Sequence, residues 1–216
     1  MSDSDGTKNL LIAIGVVVIV FGLLFSVNLF FKPKPVTVDS LVDKTLSGEQ
    51  NPETNFVYHG FVFIEVGGLW QTQWQFKNTQ YIILLHYSPL ELENIKIVGD
   101  INSSFDSKEI YLTFDPLGSE LKYVAMSAGE ISLNLVRALN TIPVAACSRN
   151  ETDACADRPI INCSNTDKPV IFLKESNETM IDLKGNCIIL QGAGADIAKV
   201  SERMIYQWYG IMEREQ

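Results

Sequence analysis

The stretch Gly60–Phe76, GFVFIEVGGLWQTQWQF, decides how this chain folds. Its first part, Phe61–Val66, is rich in β-branched and aromatic residues, and its last part, Leu69–Phe76, alternates strictly between two kinds of side chain. The glycine pair between them suits a two-residue hairpin turn, because glycine readily adopts the positive φ that such turns need. We therefore predict an antiparallel hairpin whose glutamines face water, while Trp70 and Trp74 lie on its buried face.

The residues after this hairpin predict an α+β domain. Tyr81–Tyr87 (YIILLHY) adds a third strand and completes an antiparallel β-meander. Glu109–Phe114, Ser119–Leu139 and Ile142–Ala146 follow as strand, helix and strand, which predicts a right-handed β-α-β crossover. The remaining predicted elements are an edge strand within Leu90–Asp100, strands at Pro169–Leu173, Met180–Leu183 and Cys187–Leu190, and a C-terminal helix from Asp196, its N-cap, to Met212.

Near the N-terminus, residues 10–31 (LLIAIGVVVIVFGLLFSVNLFF) carry no charge and predict a transmembrane helix. At about 1.5 Å per residue this run spans roughly 33 Å, which covers a hydrocarbon core of about 30 Å. It is longer than the apolar run of a cleaved signal peptide, and no small-residue cleavage site follows it. The predicted organisation is a tail at residues 1–9, the transmembrane helix at 10–31, a stalk at 32–55 and an extracytoplasmic domain at 56–216.

Two sets of residues give opposite predictions for the side of the membrane. Lys32 and Lys34 follow the span whereas only Lys8 precedes it, which favours a cytoplasmic domain. Four cysteines and four N-x-S/T sequons lie beyond the span, which favours a location outside the cytoplasm. The negative charge of the domain favours the same side, because an anionic inner leaflet would repel it. The sequons, at Asn102, Asn150, Asn162 and Asn177, are candidate glycosylation sites. We therefore expect the domain to lie outside the cytoplasm.

The four cysteines, Cys147, Cys155, Cys163 and Cys187, predict two disulfide bonds. Seven, seven and 23 residues separate them, which matches no C-x₂-C zinc pattern. Three of them lie in the polar stretch 147–168, and a loop of this length usually needs tethering. Of the three possible pairings we favour Cys147–Cys155 with Cys163–Cys187. An oxidising compartment makes redox catalysis by these thiols the weaker interpretation.

The composition and one glycine-containing turn argue against nucleic-acid binding and nucleotide binding. The 216 residues are 46% hydrophobic and carry a net charge of −9, so the chain is too apolar for a disordered protein and lacks a basic surface for nucleic acid. Gly192, Ala193 and Gly194 stand between a strand and a helix, as in a dinucleotide-binding turn, but Ile197 occupies the place of the third glycine. No further βαβ unit follows. We therefore predict neither nucleic-acid nor nucleotide binding.

No group of side chains predicts a catalytic or metal site. His59 and His86 lie at the meander without the spacing of a zinc or catalytic motif, so we interpret them as structural. Ser127 and Ser132 lie on the long predicted helix, and no G-x-S-x-G elbow occurs. The remaining candidate acids are Glu91, Glu93, Asp100 and Asp106. We interpret them as solvated, although the two acids of a glycosidase need only meet in space. The sequence predicts no cofactor.

Several stretches resemble uncharacterised single-pass, membrane-anchored proteins of archaea. They are GFVFIEVGGLWQTQWQF from Gly60, LLHYSPLELENI from Leu84, AGEISLNL from Ala128 and NCIILQGAGADIAKVSERMIYQWYGIM from Asn186. The likeness covers Phe56–Met212 and the anchor. It implies a small α+β domain outside the membrane and brings no known activity or site residue. The C-terminal strand, glycine turn and helix are also similar to small domains of archaeal surface-layer proteins.

These observations predict an envelope interaction or scaffold module, or an accessory subunit of a membrane complex, rather than an enzyme. Its predicted partners are the lipid bilayer, through residues 10–31, and a protein of the envelope or of a membrane complex. One alternative is a membrane-tethered hydrolase of surface polymers, which needs a cleft with two carboxylates about 5–10 Å apart. Another is a sugar- or peptide-binding domain that exposes Trp70 and Trp74. An exposed apolar surface favours the interaction module.

Overall fold

A computed structural model describes residues 14–21 and 37–213 of the chain. The chain divides into two compact units, Met1–Ser40 and Leu41–Gln216. In the first unit, residues 14–21 form helix α1. The rest of the predicted span at residues 10–31 lies outside the described residues. Within 14–21 and 37–213, no helix combines the length and the apolar character that crossing a bilayer requires.

The described helices and strands alternate along the chain in a mixed order. The helices are α2 (Val38–Leu46), α3 (Pro89–Leu92), α4 (Leu121–Asn134) and α5 (Asp196–Trp208). The strands are β1 (Asn55–Tyr58), β2 (Phe61–Val66), β3 (Leu69–Phe76), β4 (Thr79–Leu85), β5 (Lys96–Ile101), β6 (Glu109–Phe114), β7 (Ile142–Cys147), β8 (Val170–Glu175), β9 (Met180–Gly185) and β10 (Cys187–Gly192). They form an antiparallel sheet and a mixed sheet, which confirms the predicted α+β class.

The first sheet has four antiparallel strands in the order β1-β2-β3-β4. The predicted hairpin is confirmed, because Gly67 and Gly68 both have positive φ and join β2 to β3. The sheet has one strand more than the predicted meander: β1 pairs with β2 and places Phe56 against Phe63. This strand begins at Asn55, at the predicted end of the stalk.

The alternation of β3 produces a buried face over only part of its length. Trp70 and Thr72 are buried as predicted, Trp74 is half-buried against the Tyr209 ring, and Phe76 is exposed. The β3–β4 hairpin therefore extends beyond the core, so the period-2 pattern continues to an end at Phe76 that is exposed among the described residues.

The second sheet has six strands in the order β5-β9-β10-β8-β6-β7. Its neighbours pair in parallel except β9 and β10, which form an antiparallel hairpin. The predicted β-α-β unit is present: β6 and β7 pair in parallel on either side of α4 in sequence. The edge strand predicted within Leu90–Asp100 is β5, and every residue of β10 is buried, as expected for a central strand.

Helices α4 and α5 run in the same direction and pack on each other. Glu130 of α4 meets Glu202 of α5, and four residues further along α4 Asn134 accepts a 2.7 Å hydrogen bond from the Tyr209 hydroxyl, seven residues beyond Glu202. The predicted apolar positions of α5 are buried, apart from the half-buried Trp208. The burial extends around most of the helix, because nine of its residues from Ile197 to Tyr206 are buried.

The ends of both long helices differ from the sequence prediction. Ala195, not Asp196, is the N-cap of α5, and the Asp196 carboxylate instead accepts hydrogen bonds from Thr179 and Lys199. Helix α4 begins at Leu121 rather than at Ser119, and the segment that leads into it is held by Glu175 at the end of β8. That carboxylate accepts hydrogen bonds from the backbone N–H groups of the two residues before the helix, 119 and 120. The helix ends in a π-helical turn over Leu135–Leu139.

Both disulfide bonds have the favoured pairing, Cys147–Cys155 and Cys163–Cys187. The first closes a local loop at the end of β7, and the second fastens the loop to the start of β10. This loop covers one face of the mixed sheet, where Ile161 and Cys163 pack on Val170 and Cys187. The disulfides thus supply the tether that the long polar loop was predicted to need.

Candidate functional site

Three titratable side chains converge where the end of β4 meets α4 and α5. His86 follows the last residue of β4, Glu130 lies in α4 and Glu202 lies in α5. The parallel packing of the two helices sets the two glutamates opposite each other, and the chain after β4 carries His86 over them. We call these three residues the His–Glu–Glu cluster.

The cluster is tightly packed and buried at its centre. The Nδ1 atom of His86 lies 2.8 Å from Oε1 of Glu130 and 3.1 Å from Oε1 of Glu202. Glu202 is fully buried, Glu130 is mostly buried, and 40% of the His86 side chain is exposed. The cluster therefore reaches solvent through the imidazole.

Backbone donors fix Glu202 in place. Its Oε1 atom accepts a 3.0 Å hydrogen bond from the backbone N–H of His86, and Oε2 accepts one of 2.8 Å from Tyr87. The Tyr206 hydroxyl, one turn further along α5, donates to the Tyr87 carbonyl at 2.8 Å. Three hydrogen bonds thus attach the backbone of the segment after β4 to α5, in addition to the contact between the His86 imidazole and Glu202.

Burial and the neighbouring acid disfavour ionisation of both glutamates. Burial, with the adjacent Glu130 carboxylate adding to it, raises the pKa of Glu202 to about 9, although the two backbone N–H groups act against this. Burial also raises the pKa of Glu130, which His86 partly offsets. Ionisation of both carboxyl groups together is therefore disfavoured at neutral pH.

This arrangement suits cation binding better than glycoside hydrolysis. The three ligand atoms lie within 4.8 Å of one another, close enough to share one ion. Glycosidases need about 5–5.5 Å between carboxyl groups for retention and about 6.5–9.5 Å for inversion, and Glu130 and Glu202 are in hydrogen-bonding contact.

A second feature is an apolar groove of about 660 Å³ between α4 and the edge of the mixed sheet. Its floor includes Leu112 of β6 and Ala145 of β7, and its α4 wall includes Ala125, Ala128 and Gly129. The loop that Cys155 ties to Cys147 forms the third wall through residues 152, 154 and 158. The groove exists because α4 carries small side chains where it crosses the sheet edge.

Exposed apolar side chains continue the groove along α4. Leu121 at its start is 39% exposed, and Leu133 and Val136, each one turn beyond a lining residue, are 49% and 50% exposed. Pro143 on the edge strand β7 removes one backbone donor, which discourages pairing of a further strand there. The exposed surface is therefore made mainly of side chains.

The other candidate residues from the sequence lie outside the His–Glu–Glu cluster. His59 contacts the Ile211 carbonyl through Nδ1 at 3.2 Å, far from His86 in sequence and outside the cluster. Ser127 is fully buried, and Ser132 lines the groove. The Glu91 carboxylate accepts hydrogen bonds from Ser88 at the start of α3. Glu93 lines a polar depression, while Asp100 and Asp106 are exposed in or near β5.

The glycine turn before α5 has a packing reason. A side chain at Gly192 would meet the backbone of Asp196 at 2.8 Å, and Gly194 has φ +54°. The strand must therefore turn sharply into the helix without side chains at these two positions. Trp70 is buried in the core and is not available to a sugar, whereas Trp74 is half-buried.

The four sequon asparagines lie on or near the surface. Asn102, Asn150 and Asn177 are exposed, and Asn162 is half-buried in a local turn with Ser164.

Comparison of the chain with known protein families, curated proteins and solved structures finds no match.

Of the His–Glu–Glu cluster, only His86 stood out in the sequence, where it was interpreted as structural. Glu130 and Glu202 carried no recognisable motif. One local signal was present, because Ala198, Ile205 and Tyr206 lie one turn before and after Glu202 on α5. A carboxylate between apolar neighbours at that spacing indicates a buried acid.

Proposed function

We propose that this protein is an extracytoplasmic interaction module, anchored in the membrane by residues 10–31, whose groove beside α4 receives an apolar segment of a partner protein. The groove is the observation that carries this proposal. Its volume of about 660 Å³ lies within the range of about 300–1,000 Å³ that is usual for ligand sites. Contiguous exposed apolar surface of this kind is typical of interaction sites.

The shape of the groove supports a polypeptide segment as the occupant. The wall formed by Ala125, Ala128 and Gly129 has short side chains, which permit close approach of another backbone. The exposed Leu133 and Val136 each lie one turn beyond a lining residue, so apolar surface continues past the groove. An amphipathic helix or an extended apolar segment fits such a surface.

Hydrolase activity is the weaker alternative. The two glutamates that meet at His86 are closer than the carboxyl pairs of glycosidases, and His86 alone of the three is substantially exposed. The groove itself contains no carboxylate among its lining residues. A surface-polymer hydrolase therefore has less support than an interaction module.

Two observations support the extracytoplasmic location. The domain contains two disulfide bonds, which persist in oxidising compartments, and three of its four sequon asparagines are exposed. Protease added to intact cells should remove the domain and leave a membrane-embedded N-terminal fragment. Protection of the domain until the membrane is permeabilised would reverse the proposed topology.

The groove is tested by filling it at Gly129. A Cβ atom added there meets no atom within 4 Å, so the backbone admits a side chain at this position, and Gly129→Trp should fold and place its ring over the groove. Gly129→Ala is the matched control, because it changes helix propensity in the same direction and leaves most of the groove open. Crosslinking in intact membranes should yield a defined adduct from the wild-type and Ala chains, and the Trp chain should lose it. An adduct of equal yield from all three would place the partner elsewhere.

A further inference from the structure

We propose that the His–Glu–Glu cluster binds one divalent first-row transition-metal cation, which clamps the end of β4 to α4 and α5. The ligand set is one imidazole nitrogen and the oxygens of two carboxylates. Such a set suits Zn²⁺ or Mn²⁺, whereas Ca²⁺ and Mg²⁺ prefer oxygen ligands alone. This proposal does not depend on the groove or on its partner.

The spacing of the ligand atoms fits a single ion. Ligands about 2.1 Å from a metal in tetrahedral or octahedral geometry lie about 3.0–3.4 Å from each other. The Nδ1 atom of His86 lies 2.8 Å from Oε1 of Glu130 and 3.1 Å from Oε1 of Glu202. Small rotations of the two glutamates and the imidazole are therefore sufficient to admit the ion.

The acids at the centre of the cluster lack a sufficient positive partner. Glu202 is fully buried, and Oε2 of Glu130 is buried without a hydrogen-bond donor among the described residues. Two adjoining carboxylates in this setting need a proton or a cation between them. A divalent ion between the imidazole and the two carboxylates would neutralise both acids at once.

The surroundings already orient the ligands. The backbone N–H groups of His86 and Tyr87 each donate to one oxygen of Glu202, and each oxygen retains a lone pair for a metal. The Tyr206 hydroxyl holds the same segment through the Tyr87 carbonyl. Because 40% of the His86 side chain is exposed, the ion has a path from solvent, and water can complete its coordination.

The test is Zn²⁺ and Mn²⁺ binding by the purified full chain after treatment with EDTA. Calorimetric titration should find about one Zn²⁺ per chain, and saturating Zn²⁺ should raise the unfolding midpoint. Glu130→Gln and His86→Gln should each weaken binding at least about tenfold. The matched controls are His59→Gln and Glu178→Gln, which alter a histidine and an exposed glutamate outside the cluster. Both controls should bind as the wild type does.

Absorption of the Co²⁺ form provides a readout that depends on the ligands themselves. His86→Gln should change the visible bands, whereas His59→Gln should leave them unchanged. Near-UV circular dichroism of each metal-free variant shows whether it folds. Failure of the folded wild-type chain to bind either ion would overturn the proposal and leave a shared proton as the cluster's counter-charge. Equal binding by a folded His86→Gln or Glu130→Gln variant would also overturn it, because the ion would then lie on other acids.

Discussion

Replacing Glu202 with glutamine should remove a large part of the pH dependence of the metal-free protein's stability. Burial beside Glu130 raises the pKa of Glu202 to about 9, whereas an unfolded glutamate titrates near its ordinary value of about 4.3. Between these two values the folded chain keeps a proton that the unfolded chain releases. The free energy of unfolding contributed by this group is therefore fully present below about pH 4 and declines as the pH rises towards 9.

The expected decline is large. Each unit of pKa displacement corresponds to about 1.4 kcal/mol, so the wild type should lose several kcal/mol between pH 5 and pH 9 through this group. Glu130, whose pKa is also raised, adds a contribution of the same sign. Glutamine has nearly the shape of a protonated glutamate and does not titrate. Its NH2 group cannot accept from one of the two backbone N–H groups that Glu202 binds, so Glu202→Gln should be less stable than the wild type at pH 5. Its free energy of unfolding should nevertheless decline much less than that of the wild type between pH 5 and pH 9.

The assay is guanidinium unfolding of the full chain with EDTA present, followed by tryptophan fluorescence at several pH values. EDTA is needed because a bound cation would replace the proton in the cluster. Glu178→Gln, which alters an exposed glutamate, serves as the control and should keep the wild-type pH dependence. If Glu202→Gln shows the same decline between pH 5 and pH 9 as the wild type, Glu202 does not carry the proton, and the assignment is wrong.

Three further predictions concern stability. Glu175→Ala should lower the free energy of unfolding by about 1–2 kcal/mol, because it removes the hydrogen bonds accepted at the start of α4, and Glu175→Gln should lower it less. Phe63→Ala should lower the free energy of unfolding by about 3–5 kcal/mol because the ring is fully buried. Phe76→Ala, whose ring is 48% exposed, should lower it by less than about 1 kcal/mol, and similar losses for the two variants would contradict the assignment of Phe63 to the core. Replacing both cysteines of the Cys163–Cys187 bond with serine should lower the free energy of unfolding by about 3.5 kcal/mol. The same change at Cys147–Cys155 should lower it by about 2.5 kcal/mol, because this bond closes a shorter loop. Chemical unfolding of each variant tests these values, and the reverse order for the disulfides would refute the loop argument.

Local patterns were sufficient for most of the individual elements. Glu109–Phe114 forms a strand with the predicted bounds, because a β-branched and aromatic run ends at a proline turn. The Gly67-Gly68 hairpin was predictable for the same reason, since its turn depends only on two adjacent residues. The favoured disulfide pairing is present; it was chosen because one bond closes a short local loop and the other ties the end of the loop to a strand.

Features that depend on distant residues were not predictable in the same way. The N-cap prediction at Asp196 was wrong because its carboxylate accepts from the side chains of Lys199 and of Thr179, 17 residues away, instead of from backbone N–H groups of the helix. The segment that leads into α4 is likewise held from β8, by Glu175. In each case a partner brought by the sheet outcompetes the local preference of the residue.

The His–Glu–Glu cluster illustrates the same limit at a functional site. His86 and Glu202 are 116 residues apart and meet only because α4 and α5 pack in parallel beneath the end of β4. Charged residues on a helix are usually solvated, so the charge of Glu130 gave no indication of burial. Only the apolar neighbours of Glu202 carried a local signal.

Helix α4 connects the two proposed sites. Its 3.6-residue period sets Ala125 and Gly129 on one side, facing the groove, and Glu130 and Asn134 on the opposite side, facing α5. A cation bound at Glu130 would hold this helix against α5 and so fix one wall of the groove. Metal binding should then strengthen crosslinking of the partner in the wild type, and Glu130→Gln should remove that gain while leaving the metal-free yield unchanged. If the metal changes the unfolding midpoint but not the crosslinking yield, the cation stabilises the domain without acting on the groove, and each site functions independently.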